Sequence, residues 1–207
     1  MSIEKLDQLG DMYIDVLREL GNIGSGNAAT SLSTLLNTAI DIGIPSVKIV
    51  DINEAACLLG GPENIVVGIL AKVSGDVDAM VMFIIDEQFA RLVLENLLHQ
   101  TFEGCANLTQ LQISALSEVG NIMISSYVNS IAEMASLKMK LTVPAISVDM
   151  VGAMLCVPSI EIGEVSDQVI FIEDDILSQE GLTSKILLVP SIESLNKIMH
   201  GLGLEVL

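Results

Sequence analysis

The chain has 207 residues, of which 51% are hydrophobic, with no Trp, two Tyr and four Phe, so a sizeable core is available and must be built from Ile, Val, Leu and Met. Nine Lys and Arg, scattered singly, stand against 27 Asp and Glu and leave a formal net charge of −18. Such a surface repels nucleic-acid backbones and anionic lipid, which argues against nucleic-acid binding and membrane insertion and favours a protein partner with a basic patch.

Met1-Ser2-Ile3-Glu4-Lys5 has no apolar stretch behind its charges, so no export signal is expected. Apolar residues at helical spacing predict a long helix over about residues 5–37. A β-rich stretch follows over residues 40–50, then a hairpin of strands 66–73 and 79–85 turned at Ser74-Gly75-Asp76. Asp86 is the expected N-cap of a helix over residues 87–99. Residues 104–108 join the next unit without a Pro- or Ser-rich linker.

A second long helix is predicted over about residues 109–137, then a β-rich stretch over 139–150. Strands 168–173 and 185–189, separated by a looser acidic loop, and a helix over 192–200 capped by Ser191 and stopped at Gly201 complete the pattern. The uncharged apolar runs 65–71, 79–85 and 151–160 are too short to span a bilayer and read as buried strands. Cys57, Cys105 and Cys156 are odd in number, widely spaced and without a C-x-x-C arrangement, which predicts reduced thiols in a cytoplasm, placed in the core. The whole is expected to be one domain, residues 1–207, made of two fused repeats of about 1–103 and 104–207 that share one sheet.

The repeat carries a polar constellation. Asp15-x3-Glu19-x2-Asn22-x22-Pro45 recurs as Ser114-x3-Glu118-x2-Asn121-x22-Pro144, each position 99 residues further on. On a helix, Asp15, Glu19 and Asn22 fall within a sector of roughly 60° at 100° per residue, opposite Val16, Leu17, Leu20 and Ile23. Ser114, Glu118 and Asn121 project likewise, opposite Ala115, Leu116, Val119 and Ile122. Both faces are expected to be flat and open. An acid and an amide on one exposed helical face are ordinarily solvated surface. Their survival in both halves, beside mid-helix Gly21 and Gly120, points to use.

Those glycines cost about 1 kcal/mol each relative to Ala. Two explanations stand open, close packing of the helix or a bare patch for an approaching backbone, extended in the first helix by Gly24 and Gly26. Pro45 and Pro144 are expected to set a strand edge or bend. The interchange of Asp15 with Ser114 suits a supporting contact.

The doubled motif, with Glu19-Leu20-Gly21-Asn22-Ile23-Gly24-Ser25-Gly26-Asn27-Ala28 and Glu118-Val119-Gly120-Asn121-Ile122-Met123 around it, resembles the CheC family of bacterial chemotaxis phosphatases. The resemblance implies an α+β fold of pseudo-two-fold symmetry, with a shared β-sheet and the two motif helices on one side. It implies hydrolysis of the aspartyl phosphate of the response regulator CheY, with Asn22 and Asn121 orienting water and Glu19 and Glu118 docking on the regulator's lysine. It also implies no cofactor of the chain's own, Mg2+ being supplied by the regulator, and the deamidase CheD as a further partner. The alternatives are a CheD-binding adaptor or flagellar-switch-related interaction domain with little catalysis, and a hydrolase using Glu19 and Glu118 as an acid–base pair over one substrate.

Overall fold

A computed structural model describes residues 6, 9–162, 168–175 and 183–204. The first half runs α1 (Asp11–Leu36), β1 (Ser46–Asp51), α2 (Ile52–Leu58), β2 (Ile65–Gly75), β3 (Ala79–Ile85) and α3 (Glu87–Leu98). After one turn of 3-10 helix at Cys105–Asn107, the second half runs α4 (Gln110–Met134), β4 (Met139–Leu141), β5 (Ala145–Met150), α5 (Val151–Ile162), β6 (Gln168–Asp175), β7 (Thr183–Pro190) and α6 (Ile192–Gly201).

All seven strands form one antiparallel sheet in the order β1-β6-β7-β3-β2-β4, with β5 also paired to β2. Each half lends its first main strand to the other: β1 pairs β6, and β5 pairs β2. The middle pair, β3 with β7, joins the halves. Val47 lies opposite Ile172 as Ile146 lies opposite Ile69, so the two halves are related by a pseudo-two-fold axis through the centre of the sheet.

Strand alternation sends one set of side chains to each face. One face, with Val67, Ile69, Phe83, Ile85, Ile170 and Leu188, packs against α1, α3, α4 and α6 in the larger core. The other, with Val66, Met82, Ile84, Phe171 and Leu187, is covered by α2 and α5. Helices α1 and α4 lie side by side on the same face and pack on each other.

Local chemistry sets the element ends. Asp86 accepts a hydrogen bond from the Phe89 amide at 2.9 Å, Ser191 from that of Ser194 at 3.2 Å, and Thr109 forms a reciprocal capping box with Gln112. His99 closes α3 in a left-handed conformation. Gly201 is the last helical residue rather than the stop, and Gly203 takes the positive φ that follows. Strand β2 runs through Gly75, so the hairpin turns at residues 76–78 rather than at Ser74-Gly75-Asp76.

Two further expectations fail. The run 151–160 is not a strand but most of α5: Val151, Met154, Leu155 and Pro158 are buried, the i, i+3, i+4, i+7 stripe of a helix on a sheet. Its apolar exposed positions, Ala153 and Cys156, hid that period. Of the cysteines, only Cys105 is in the core; Cys57 on α2 and Cys156 on α5 are exposed, because both outer helices turn those positions away from the sheet. Burial, with Glu87 and Asp86 adding to it, pushes the Cys105 thiol up to about 11, so it stays protonated.

Candidate functional site

Helix α1 buries Leu17, Leu20, Gly21, Gly24, Ser25 and Ala28, and leaves Asp15, Glu19 and Asn22 exposed. Helix α4 buries Ala115, Leu116, Val119, Gly120 and Met123, and leaves Ser114 and Glu118 exposed with Asn121 half-buried. Val16, Ile23 and Ile122 are only half-buried, at the borders of the packed stripe. Each helix therefore presents an acid and an amide one turn apart on its outer surface.

Among the described residues, the side chains of Glu19, Asn22, Glu118 and Asn121 have no hydrogen-bond or ion-pair partner. The neighbouring positions do have partners. Asp15 pairs with Arg18 one turn along α1, and Ser114 donates to the Gln110 carbonyl at 3.0 Å. Both thus bond within their own helix, and neither bonds the acid or the amide.

The glycines are explained by packing. A Cβ on Gly21 would stand 2.9 Å from Cγ of buried Pro45, and one on Gly120 would stand 2.2 Å from Cδ1 and 3.0 Å from Cβ of Ile69 on β2. Gly24 is buried, and a Cβ on it would stand 3.1 Å from Tyr127, so it is no part of an exposed bare patch, whereas Gly26 is exposed with open space around it. Pro45 and Pro144 each stand immediately before a strand at a margin of the sheet, β1 and β5. Through Gly21, Pro45 seats the strand entry against the turn of α1 that carries Asn22.

A shallow recess of about 360 Å³ opens beside the second pair, formed by Ser117, Glu118 and Asn121 of α4 and residues 141–144. Every lining residue comes from the second half, so Glu19 does not share it. That disfavours one acid–base pair acting over a common substrate.

Sequence reasoning missed a buried polar cluster behind the two pairs. Tyr127 donates to Asp174 Oδ2, Ser184 Oγ lies 3.1 Å from the same oxygen, and Ser25 Oγ lies 2.7 Å from Asp174 Oδ1, 2.9 Å from the Tyr127 hydroxyl and 2.6 Å from the Gly21 carbonyl. Burial pushes the Asp174 carboxyl above its ordinary range, while the hydrogen bonds from Tyr127, Ser25 and Ser184 pull it back. Burial and the Asp174 charge raise the Tyr127 phenol, which stays protonated as donor. The cluster ties both motif helices to β6 and β7. No sequence signal marked it, since an acid in a chain of net charge −18 is assigned to the surface by default.

A model of the CheC-like family matches residues 12–49 and 111–148, the two segments that carry the motif. A protein from Bacillus subtilis (strain 168) named CheY-P phosphatase CheC is 31% identical over 198 residues, spanning 92% of this chain and 93% of that protein. The chain belongs to the CheC-like family. Its fold is that of known relatives: FliY from Thermotoga maritima superposes with a TM-score of 0.70 at 21% identity, over 95% of this chain and 98% of that one. In the complex of CheX with CheY, BeF3 and Mg2+ from Borrelia burgdorferi, the matching chain gives a TM-score of 0.53 at 16% identity, over 82% of this chain and 96% of its own. The CheC-like segments matched by the family model begin at Met12 and Leu111 and end just inside β1 and β5, so they enclose each acid, its amide and the following proline.

Proposed function

We propose that this chain is a protein phosphatase that hydrolyses the aspartyl phosphate of a CheY-type chemotaxis response regulator in the cytoplasm. The observation that carries the reading is two pairs of unpartnered side chains, Glu19 with Asn22 and Glu118 with half-buried Asn121, one turn apart on the outer surfaces of two equivalent helices. The name of the Bacillus subtilis relative supports the substrate class.

The chemistry asks little of the phosphatase. An acyl phosphate is already activated and reacts through a loose transition state, so holding one water in line with phosphorus is the main task. The amide of Asn22 or Asn121 both donates and accepts, which fixes the water's oxygen and one of its protons. The water oxygen bonds to phosphorus as the bond from phosphorus to the aspartyl oxygen breaks. The bonding pair leaves with the carboxylate, and a water proton passes to the released phosphate or to solvent. Glu19 and Glu118 pair with the regulator's active-site lysine, orienting each helix over the phosphoryl group.

Mg2+ belongs to the regulator in this reading, where it offsets phosphoryl charge; the related CheX complex with CheY contains BeF3 and Mg2+. Among the described residues no cluster of three or more His, Cys, Asp or Glu is placed to hold a metal. CheD would bind away from both pairs and tune the rate.

The test is loss of phosphate from a phosphorylated CheY-type receiver. Asn22→Ala with Asn121→Ala should bring the rate down to the receiver's own, while each single variant keeps part of the acceleration. A double variant as fast as the wild type overturns the assignment.

A further inference from the structure

Seven large hydrophobic side chains are exposed among the described residues, and four of them form two repeated pairs: Met12 with Leu111, 53% and 56% exposed, and Ile44 with Val143, 75% and 91% exposed. The halves have diverged elsewhere, yet these positions stay large, apolar and open to water in both. Of the remaining three, Ile65 and Met150, cross-strand partners, have Gln168 and Asp51 at the equivalent positions of the other half, and Met134 has Leu35, which is half-buried against the core.

The repeated pairs bracket the two polar pairs. Met12, Asp15, Glu19 and Asn22 lie at i, i+3, i+7 and i+10, within a sector of about 80° on one face of α1, and Leu111, Ser114, Glu118 and Asn121 share the same geometry on α4. Ile44 and Val143 flank the other side. Val143 helps to line the recess that holds Glu118 and Asn121, and Ile44 precedes Pro45, which packs on Gly21 next to Asn22. Each site is thus an acid and an amide with an apolar side chain at either end.

We infer that Ile44 and Val143, with Met12 and Leu111 at the far end of each helix, are the docking contacts that seat a phosphorylated receiver domain on each site. This rests on the phosphatase reading above. A small polar pair gives direction but little binding energy in water, whereas desolvating apolar groups around it supplies affinity and excludes solvent from the water that Asn holds. The acid at the centre of each patch selects a partner with a cation at its own centre, which the lysine of a receiver's active site provides. A second copy of this chain is a poor occupant, because two surfaces of net charge −18 repel. These residues act through binding and are not catalytic.

The experiment compares the wild type, Ile44→Ser with Val143→Ser, and Asn22→Ala with Asn121→Ala. Affinity is measured as fluorescence anisotropy of a labelled CheY-type receiver loaded with beryllofluoride and Mg2+, and KM and kcat are measured on the phosphorylated receiver. The serine variant should bind about tenfold more weakly and show KM raised by a similar factor, with kcat within twofold of the wild type and an unchanged melting temperature. The alanine variant should lose kcat and keep most of its affinity. Unchanged affinity in the serine variant, or a fall in its kcat alone, overturns this inference and leaves the phosphatase reading standing. A wild type that dimerises in sedimentation while the serine variant does not reassigns the patches to self-association and overturns it as well. A wild type that binds no receiver overturns both.

Discussion

Tyr127→Phe probes how the two motif helices are held to the sheet. The substitution keeps the ring that packs against Gly24 and deletes only the hydroxyl that donates to Asp174. A buried acceptor that loses one donor costs about 1–3 kcal/mol, and Ser25 and Ser184 remain to serve the carboxyl group, so a loss of about 2 kcal/mol at pH 7 is expected. For a chain of this size that corresponds to a fall of about 4–8 °C in Tm, read by circular dichroism. The pH dependence supplies the sign. Because the folded Asp174 carboxyl sits above its ordinary value, its contribution to stability is complete below the unfolded pKa of about 3.9 and is lost as pH rises through the raised folded value. Deleting the Tyr127 hydroxyl removes a bond that favours the charged form and raises that value further. The gap between wild type and Tyr127→Phe should therefore narrow on acidification toward pH 4, where the missing bond is a neutral one worth about 1 kcal/mol. Asp174→Asn, which does not titrate, should gain on the wild type as pH rises from 4 to 7. A Tyr127→Phe chain that melts within 1 °C of the wild type at pH 7, or a gap that widens in acid, refutes this account of the cluster.

Gly120→Ala places a methyl group against the fully buried Ile69, and overpacking of about 1–3 kcal/mol exceeds the roughly 1 kcal/mol returned by helix propensity. Its urea midpoint should fall, and by more than that of Gly21→Ala, whose new methyl stands 2.9 Å from Pro45 Cγ and 3.8 Å from Ile172 Cγ2 rather than 2.2 Å from Ile69 Cδ1; an equal or higher midpoint for Gly120→Ala would count against the packing role. On the phosphorylated receiver, KM should rise several-fold between about 0.05 and 0.5 M salt while kcat holds, since docking pairs an acidic surface with a cationic site; a salt-independent KM would remove Glu19 and Glu118 from docking.

Periodicity carried most of the fold. The motif helices differ from their expected spans mainly at the ends, and strands β2, β3, β6 and β7 fall where uninterrupted apolar runs or β-rich stretches predict them, because central strands buried on both faces must be apolar throughout. The same reasoning fails at α5, where a helix covering the outer face also carries apolar residues on its exposed side, and length alone does not separate ten residues of strand from ten of helix. The first half held the missing signal. Asp51 caps α2 by accepting from the Glu54 amide at 2.8 Å, and the Asp51-x-x-Glu54 spacing after a strand marks a helix whose repeat equivalent, 99 residues on, is the start of α5.

Symmetry also explains what the sequence concealed around the site. Matching the register of the two hairpins sets Asp174 against Ala71 and Ser184 against Val81, while the 99-residue repeat sets Tyr127 against Ala28 and Ser25 against Ile124. All four counterparts are buried and apolar, so one side of the pseudo-two-fold axis solves with a hydrogen-bonded acid the packing problem that the other side solves with methyl groups. A residue pair kept in both halves is visible as repetition, as Glu19 and Glu118 or Ile44 and Val143 are. A cluster recruited once, from four separate elements, has no repeat and no local spacing, and only the folded chain brings it together. Because Ser25 also reaches the carbonyl of Gly21, the residue before Asn22, the unrepeated cluster supports the first amide from inside its own helix. The second helix has Ile124 at that position, so equal motifs rest on unequal foundations.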